Sequence, residues 1–232
     1  MAGRILFFDA GPIITLVMSR LAWILPELKK HWNGKFYITP AVKYELVDRP
    51  LTIRRFEFEA LQVMKFIREG VLEVYQDIPS SKVKELIELA NGSFTLDNQT
   101  MDVIQEGEME SAATAVSSNA AGVVMDERTL RLFIESNRDM KTLLETRFKK
   151  TVTPDLQKMD AFSAKLKGLT IIRSIELVGI AYRLGLLDSY IPEGKKGREQ
   201  LIDAVLWNVK YNGCAVTELE IQDLKTFLLK KS

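Results

Sequence analysis

The sequence predicts an α/β fold with a mainly parallel sheet. Short apolar runs, at residues 5–8 and 123–125 among others, alternate with longer segments of helical periodicity, as in chains that build parallel sheets. These runs are continuous rather than alternating, which suits strands buried on both faces by helices. A length of 232 residues fits one large domain or a domain with an appendage.

Capping and turn residues mark the elements of the first half of the chain. Thr39 and Pro40 are typical of an N-cap and a first helical position, and the helix that they open should end before Pro50. Gly70 is a normal residue to close the next helix. The expected elements are a strand at 5–8, a helix from Pro12 to about Lys30 interrupted at Pro26, a strand at 35–38, helices at 39–48 and 53–69, a strand at 71–75 and a helix at 83–90.

The second half begins with a stretch, residues 94–106, that has no clear pattern. Residues 139–168 are charged and amphipathic, which predicts a helical insertion over the active edge of the sheet. A capping box of Thr217 and Glu220 opens the last helix. The other expected elements are a helix at 108–119, a strand at 123–125, a helix through Leu130 and Phe133, a strand at 169–172 and helices at 175–187, 201–211 and 218–229.

The best linker candidate is EGKKGR at residues 193–198, because it is rich in glycine and charge. We therefore expect an α/β domain over residues 1–192, with the insertion at about 139–168, and a C-terminal helical extension over residues 193–232.

Composition excludes several classes of function. The net charge of +1 creates no global field toward nucleic acid or membrane, so any basic surface must be local. One cysteine, Cys214, and one histidine, His31, exclude an intrachain disulfide, a multi-cysteine zinc site and a mechanism with two imidazoles. Without a visible signal peptide or an apolar run of about 20 residues, a cytoplasmic protein with no membrane partner is expected. The sequence contains no glycine-rich phosphate loop, which argues against a nucleotide-binding enzyme.

Four acidic residues stand where a crevice at the sheet edge would need them. Asp9 and Asp126 each end an apolar run, and ligands of open α/β sheets bind beyond the carboxyl ends of the strands. Both would face one crevice if their strands are parallel neighbours. Glu45 falls on the apolar side of its helix, and Glu108 lies at the edge of a packing face. Glu110 falls on the polar side of the same helix and is the second candidate, after Glu108, for the inward-facing carboxylate.

Four carboxylates that converge would repel one another unless a cation joined them. Mg²⁺ or Mn²⁺ suits an all-oxygen set, and such an ion supports phosphodiester hydrolysis by activating water and stabilising charge on phosphate. The alternative for each acid taken alone is an N-cap or a solvated loop carboxylate. The positions of Glu110 and Glu127 are more typical of exposed residues, or of residues that orient the metal ligands without contacting the metal themselves.

The order and spacing of these segments resemble the PIN domain, a metal-dependent nuclease family found in toxins of toxin–antitoxin pairs and in RNA-processing factors. The matching segments are FFDAGPIITL, TPAVKYEL, GEMESAATA and GVVMDERTLRLF, and TIIRSIELVGIAYRLGLLD is similar to the closing strand and helix. They cover roughly residues 4–48, 103–135 and 169–188. The resemblance implies a three-layer α/β/α sandwich and an Mg²⁺- or Mn²⁺-dependent endoribonuclease that cuts single-stranded RNA to leave a 5′-phosphate. It implies as catalytic metal ligands Asp9, Glu45, Glu108 and Asp126.

One departure from the family supports a second hypothesis. Many PIN domains have a hydroxyl residue one or two places after the first aspartate, where this chain has Ala10 and Gly11. The alternative is a catalytically weak or inactive PIN-like module that binds RNA or a protein partner. Single-stranded RNA, an antitoxin, an RNA-processing protein and a second copy of the chain are the candidate partners.

Overall fold

The computed structural model describes residues 3–97, 99–135 and 137–230. The elements up to residue 100 are β1 (Gly3–Phe8), α1 (Ala10–Met18), α2 (Ile24–Trp32), β2 (Lys35–Ile38), α3 (Pro40–Lys43), a π-helical turn (Tyr44–Asp48), 3-10 turns (Pro50–Thr52 and Arg54–Phe56), α4 (Glu57–Arg68), β3 (Glu73–Val74), α5 (Ser80–Asn91), β4 (Phe94–Leu96) and β5 (Gln99–Thr100). Those that follow are α6 (Glu106–Ser117), β6 (Ala120–Val124), α7 (Arg128–Glu135), α8 (Asn137–Phe148), β7 (Thr153–Pro154), α9 (Leu156–Lys165), β8 (Ile171–Ile172), α10 (Ser174–Arg183), a 3-10 turn (Asp188–Tyr190), α11 (Gly197–Tyr211) and α12 (Glu218–Lys230).

The predicted parallel sheet is confirmed. Within the described residues, five parallel strands form one sheet in the order β3-β2-β1-β6-β8. Strands β1 and β6 are neighbours, with Phe8 opposite Val124 in the register. The chain winds from β1 to one edge of the sheet and continues from β6 to the other, so the order reverses between these two strands. A reversal of this kind opens a crevice at the carboxyl ends of the strands, where Asp9 and Asp126 lie.

Helices cover both faces of this sheet. Leu6 and Phe8 of β1 belong to one hydrophobic cluster, together with buried residues of α1, α2, α4, α10, α11 and α12. Phe7, between them in the strand, belongs to a second cluster with buried residues of α5, α6, α7, α8 and α9. Successive side chains of a strand face opposite sides, and each fully buried phenylalanine contributes about 1.5–3 kcal/mol. The continuous apolar runs therefore reflect burial on both faces.

Three segments differ from the elements expected from the sequence. The stretch without a clear pattern forms β4 and β5, which pair with β7 in a small antiparallel sheet, so residues 139–168 contain a strand besides α8 and α9. The helix expected from Pro12 to about Lys30 is interrupted, as expected, but the break lies at residues 19–23, between α1 and α2, and Pro26 is in the first turn of α2. The helix expected at 39–48 begins as predicted, with Thr39 as N-cap, but continues as a π-helical turn.

The end of α4 and the start of α12 follow the predicted chemistry. Gly70 has a φ of +69°, a conformation that glycine adopts without steric cost. The capping box is confirmed, because Thr217 N donates to Glu220 Oε2 at 2.8 Å and Glu220 N donates to Thr217 Oγ1 at 3.2 Å. None of the described helices is both long and apolar enough to cross a membrane.

Glu220 also receives charge-assisted bonds that should make α12 sensitive to acid. Its Oε1 accepts from Arg173 at 2.6 Å and from Arg131 at 3.3 Å. Burial opposes ionisation, but the bonds from Thr217 and Arg173 outweigh it and lower the pKa of Glu220 to about 2. A lowered carboxyl pKa stabilises the fold above the unfolded value of 4.5, and this contribution is lost as the pH falls toward 2.

We therefore expect Glu220→Gln to lower the urea midpoint of unfolding at neutral pH, with the difference from wild type shrinking below about pH 4. Exposed Glu218→Gln, in the same helical turn, is the matched control and should leave the midpoint unchanged. A difference that stays constant between about pH 7 and pH 3 would contradict the role given to the Glu220 charge.

Candidate functional site

Asp9 lies at the centre of the crevice between β1 and β6. It is buried and caps α1, with Oδ2 accepting a hydrogen bond from Gly11 N at 3.3 Å, and its own N donates to Val124 O at 2.9 Å. The pKa of Asp9 is raised to about 6, mainly by burial, and the charges of Glu45 and Asp126 act in the same direction. Hydrogen bonds from the backbone of Ala10 and Gly11 act in the opposite direction. Asp9 is therefore a firmly held carboxylate in a negatively charged site.

Glu45 is carried by the π-helical turn. The wider turn keeps Leu46 and Val47 buried, while Glu45 is half-buried. A Cβ built on Gly107 would lie 3.9 Å from Glu45 Oε2, so the Glu45 carboxylate lies beside the start of α6. Isolated π turns within helices are frequently found at functional sites.

Glu108 lies in the first turn of α6 and is partly buried. Burial is the largest influence and raises its pKa to about 8, with the negative charges of Asp9, Glu127 and Glu45 acting in the same direction. A hydrogen bond from the backbone of Gln105 acts in the opposite direction. The charge of Glu45 thus acts on both Asp9 and Glu108, and that of Asp9 acts on Glu108. We call these three residues the acidic cluster.

Asp126 lies next to the acidic cluster but is held by the protein. Its Oδ2 accepts hydrogen bonds from Thr15 Oγ1 and from Ser174 Oγ, both at 2.7 Å, and its Oδ1 accepts from Ser174 N at 2.7 Å. The side chain is buried, so these bonds join α1, the end of β6 and the N-terminus of α10. Gly11 separates the two aspartates, since a Cβ there would lie 3.4 Å from Asp9 Oδ2 and 3.6 Å from Asp126 Cβ.

Glu110 and Glu127 bind to backbone near the cluster. Glu110 Oε1 accepts from Ala41 N at 3.1 Å and so connects α6 to the start of α3, the helix that leads to Glu45. Glu127 Oε1 accepts from Thr129 N at 3.1 Å and also from the Thr129 hydroxyl. Glu127 is close enough to raise the pKa of Glu108.

The chemistry of the donor set fits a hard divalent cation, although the side chains are not gathered around one point. No three Asp, Glu, His or Cys side chains among the described residues are arranged to hold one ion together. Glu45 and Glu108 are partly exposed and have several rotatable bonds, so their carboxylates can approach a cation without movement of the helices.

The remaining soft donors do not compete with this all-oxygen set. Burial raises the pKa of the Cys214 thiol to about 12, and the Asp126 charge adds to the effect, so Cys214 supplies no thiolate at neutral pH. His31 is exposed on α2. The cluster therefore favours Mg²⁺ or Mn²⁺ over zinc.

Thr15 and Ser174 are the site residues that sequence reasoning missed. Both lie in apolar helical segments, where a hydroxyl residue has no partner nearby in the sequence. The available signal was Ser174 itself, which follows a predicted strand and stands at the start of a helix, where a backbone N–H is free to bind a carboxylate.

Neither a scan against protein-family models nor searches of the curated proteins and of the solved structures found a match. The resemblance to PIN domains is therefore a hypothesis that depends on the site itself.

The raised pKa values predict that the metal-free protein loses stability as the pH rises. Glu108 ionises in the unfolded chain near its ordinary value of 4.5 but keeps its proton in the folded protein up to about 8. Since the folded state binds more protons in this window, the free energy of unfolding should fall between about pH 5 and pH 8.

Urea unfolding in the presence of a chelator measures this effect. Glu108→Gln should flatten the dependence between about pH 6 and pH 8, whereas Glu106→Gln, exposed in the same turn of α6, should follow the wild type. Identical slopes for wild type and Glu108→Gln would contradict a buried, charge-coupled Glu108.

Proposed function

We propose that this protein is an Mg²⁺- or Mn²⁺-dependent endoribonuclease of the PIN type that hydrolyses phosphodiester bonds of single-stranded RNA. The observation that carries the proposal is the acidic cluster at the carboxyl edge of a parallel sheet, between β1 and β6. Within it, the charge of Glu45 raises the pKa of Asp9 and of Glu108, and the charge of Asp9 raises the pKa of Glu108. A cluster of this kind is unfavourable without a cation, and phosphate oxygens complete the coordination of such cations in many enzymes.

The residues of the cluster have different tasks in this proposal. Asp9, fixed by its cap on α1, supplies the immobile ligand, and the more exposed Glu45 and Glu108 supply ligands that adjust. When bound, the metal ion would lower the pKa of a water molecule and stabilise negative charge on the phosphate. Gly11 leaves the space beside Asp9 and Asp126 free of a side chain.

In this proposal, Asp126 supports the site by fixing the positions of the surrounding helices. Its bonds from Thr15 and Ser174 fix α1 and α10 relative to the end of β6, and its charge raises the pKa of Asp9. The cluster is thereby held at the point where α1 begins. The toxin role and the antitoxin partner implied by the resemblance stay predictions, and so does the homodimer.

One observation favours the alternative of a PIN-like module without catalysis. Both oxygens of Asp126 accept hydrogen bonds from the protein, which leaves fewer lone pairs for a metal ion. Calorimetric titration with Mn²⁺ separates the two functions. The nuclease should bind Mn²⁺ in a manner that depends on Asp9, whereas the module should show no carboxylate-dependent binding.

The direct test is incubation of an unstructured single-stranded RNA with the protein and Mn²⁺. We expect internal cuts that stop on addition of EDTA and products that are degraded by an exonuclease specific for 5′-phosphate ends. RNA that remains intact with both Mn²⁺ and Mg²⁺ would contradict the proposed activity.

A further inference from the structure

A cavity of about 340 Å³ lies between α1 and α4, directly beside the acidic cluster. Its walls are mostly apolar and include Ile14 and Met18 of α1 and Ala60 and Val63 of α4. Glu45 forms part of the same wall, so the cavity and the candidate metal site share a side chain. Its volume lies at the lower end of the range, roughly 300–1,000 Å³, that is typical of small-molecule sites.

The cavity contains a buried hydrogen-bond acceptor with which no described residue pairs. Glu59, in the first turn of α4, lines the cavity, and its Oε2 is buried with no hydrogen-bond partner among the described residues. Leaving a buried carboxylate oxygen unpaired is costly, so such an atom in a folded protein calls for an explanation. A ligand that donates an N–H to Glu59 supplies one.

Two further side chains at the cavity could contact the face of a base and a backbone phosphate. Phe56 lines the cavity and is 38% exposed. The Arg55 guanidinium lies over its ring, 5.4 Å from the centroid, so a base would stack on the opposite face. Arg49 is exposed at the same cavity and forms no ion pair with any described residue. An arginine in this position can bind a phosphate in the backbone of a single strand.

We propose that this cavity binds one base of the RNA substrate, and that the base is guanine. The inference depends on the proposed ribonuclease function and deepens it by naming a specificity site. A carboxylate only accepts hydrogen bonds, and the Watson–Crick edge of guanine carries two adjacent N–H donors that a carboxylate can bind together. Adenine and cytosine offer a single amino group on that edge, and uracil flanks its one N–H with carbonyl oxygens. Because Glu45 lies in both sites, the bound base is next to the phosphate that is cut.

Binding of mononucleotides tests the cavity without any need for cleavage. We would titrate the full chain, in the presence of EDTA, with GMP, AMP, CMP and UMP by calorimetry. Wild type should bind GMP about tenfold more tightly than the other three nucleotides, the discrimination expected of one two-donor contact. Glu59→Gln should lose this preference, and Phe56→Ala, a change at a partly exposed ring, should weaken binding of all four.

The matched control is Glu57→Gln, an exposed carboxylate in the same turn of α4, which should bind as the wild type does. Equal affinity of wild type for all four nucleotides, or an unchanged preference in Glu59→Gln, would overturn the proposal. So would the absence of nucleotide binding together with a change of oligomeric state in Phe56→Ala, because the cavity would then belong to a protein interface.

Cleavage of single-stranded RNA with Mn²⁺ then separates this proposal from the proposed activity. A preference for GMP in a protein that does not cut RNA supports the cavity assignment and contradicts the nuclease. Cuts that occur equally beside all four bases contradict the cavity assignment and leave the nuclease in place.

Discussion

Replacing Asp9 with Asn is expected to reduce RNA cleavage by about 10²–10³-fold, the usual consequence of removing one charged group that stabilises a transition state. The same substitution should not destabilise the metal-free protein. Asparagine caps helices as well as aspartate does and can accept the bond from Gly11 N. At about pH 8 the native Asp9, with a pKa of about 6, is ionised beside Glu45, so a neutral side chain removes repulsion.

The two effects are measured on the same preparations, with an RNA cleavage assay in Mn²⁺ and with urea unfolding in EDTA. Asp77→Asn, an exposed aspartate remote in sequence from the site, serves as the control and should match the wild type in both assays. Cleavage by Asp9→Asn at the wild-type rate would exclude the acidic cluster as the catalytic centre. A large loss of stability would instead assign Asp9 to the fold.

The position of the site could be predicted from the sequence because it depends on strand ends. A buried parallel strand must be apolar along its whole length, so the first carboxylate after it marks the carboxyl edge of the sheet. Asp9 and Asp126 are marked in this way, and β1 and β6 are indeed parallel neighbours. The capping box of Thr217 and Glu220 could be predicted for a similar reason, since its bonds join residues three apart.

What could not be predicted depends on contacts between distant residues. The bond from Thr15 to Asp126 joins positions 111 residues apart, and no local pattern reports it. Strands β5 and β7 have two residues each, too few to show a period of two. The unpaired oxygen of Glu59 is likewise a property of the packed cavity rather than of the helix that carries it.

Replacing Asp126 with Ala is expected to destabilise the protein by about 3–5 kcal/mol, because it leaves the buried donors of Thr15 and Ser174 without an acceptor. A double-mutant cycle with Thr15→Val separates this cost from a general packing defect. Once the Thr15 hydroxyl is removed, less buried polar surface is left unpaired, so Asp126→Ala should cost measurably less in the Thr15→Val background.

The cycle also decides what Asp126 does in the site. Urea unfolding of the four proteins in EDTA gives the coupling energy, and Mn²⁺ titration of the same proteins gives the effect on metal binding. Strong coupling together with a loss of Mn²⁺ affinity of no more than about 10–100-fold would assign Asp126 to holding α1 and α10, with the acidic cluster as the metal ligands. Additive losses below about 1 kcal/mol would mean that its carboxylate is not committed to Thr15 and Ser174 and is available to bind the metal.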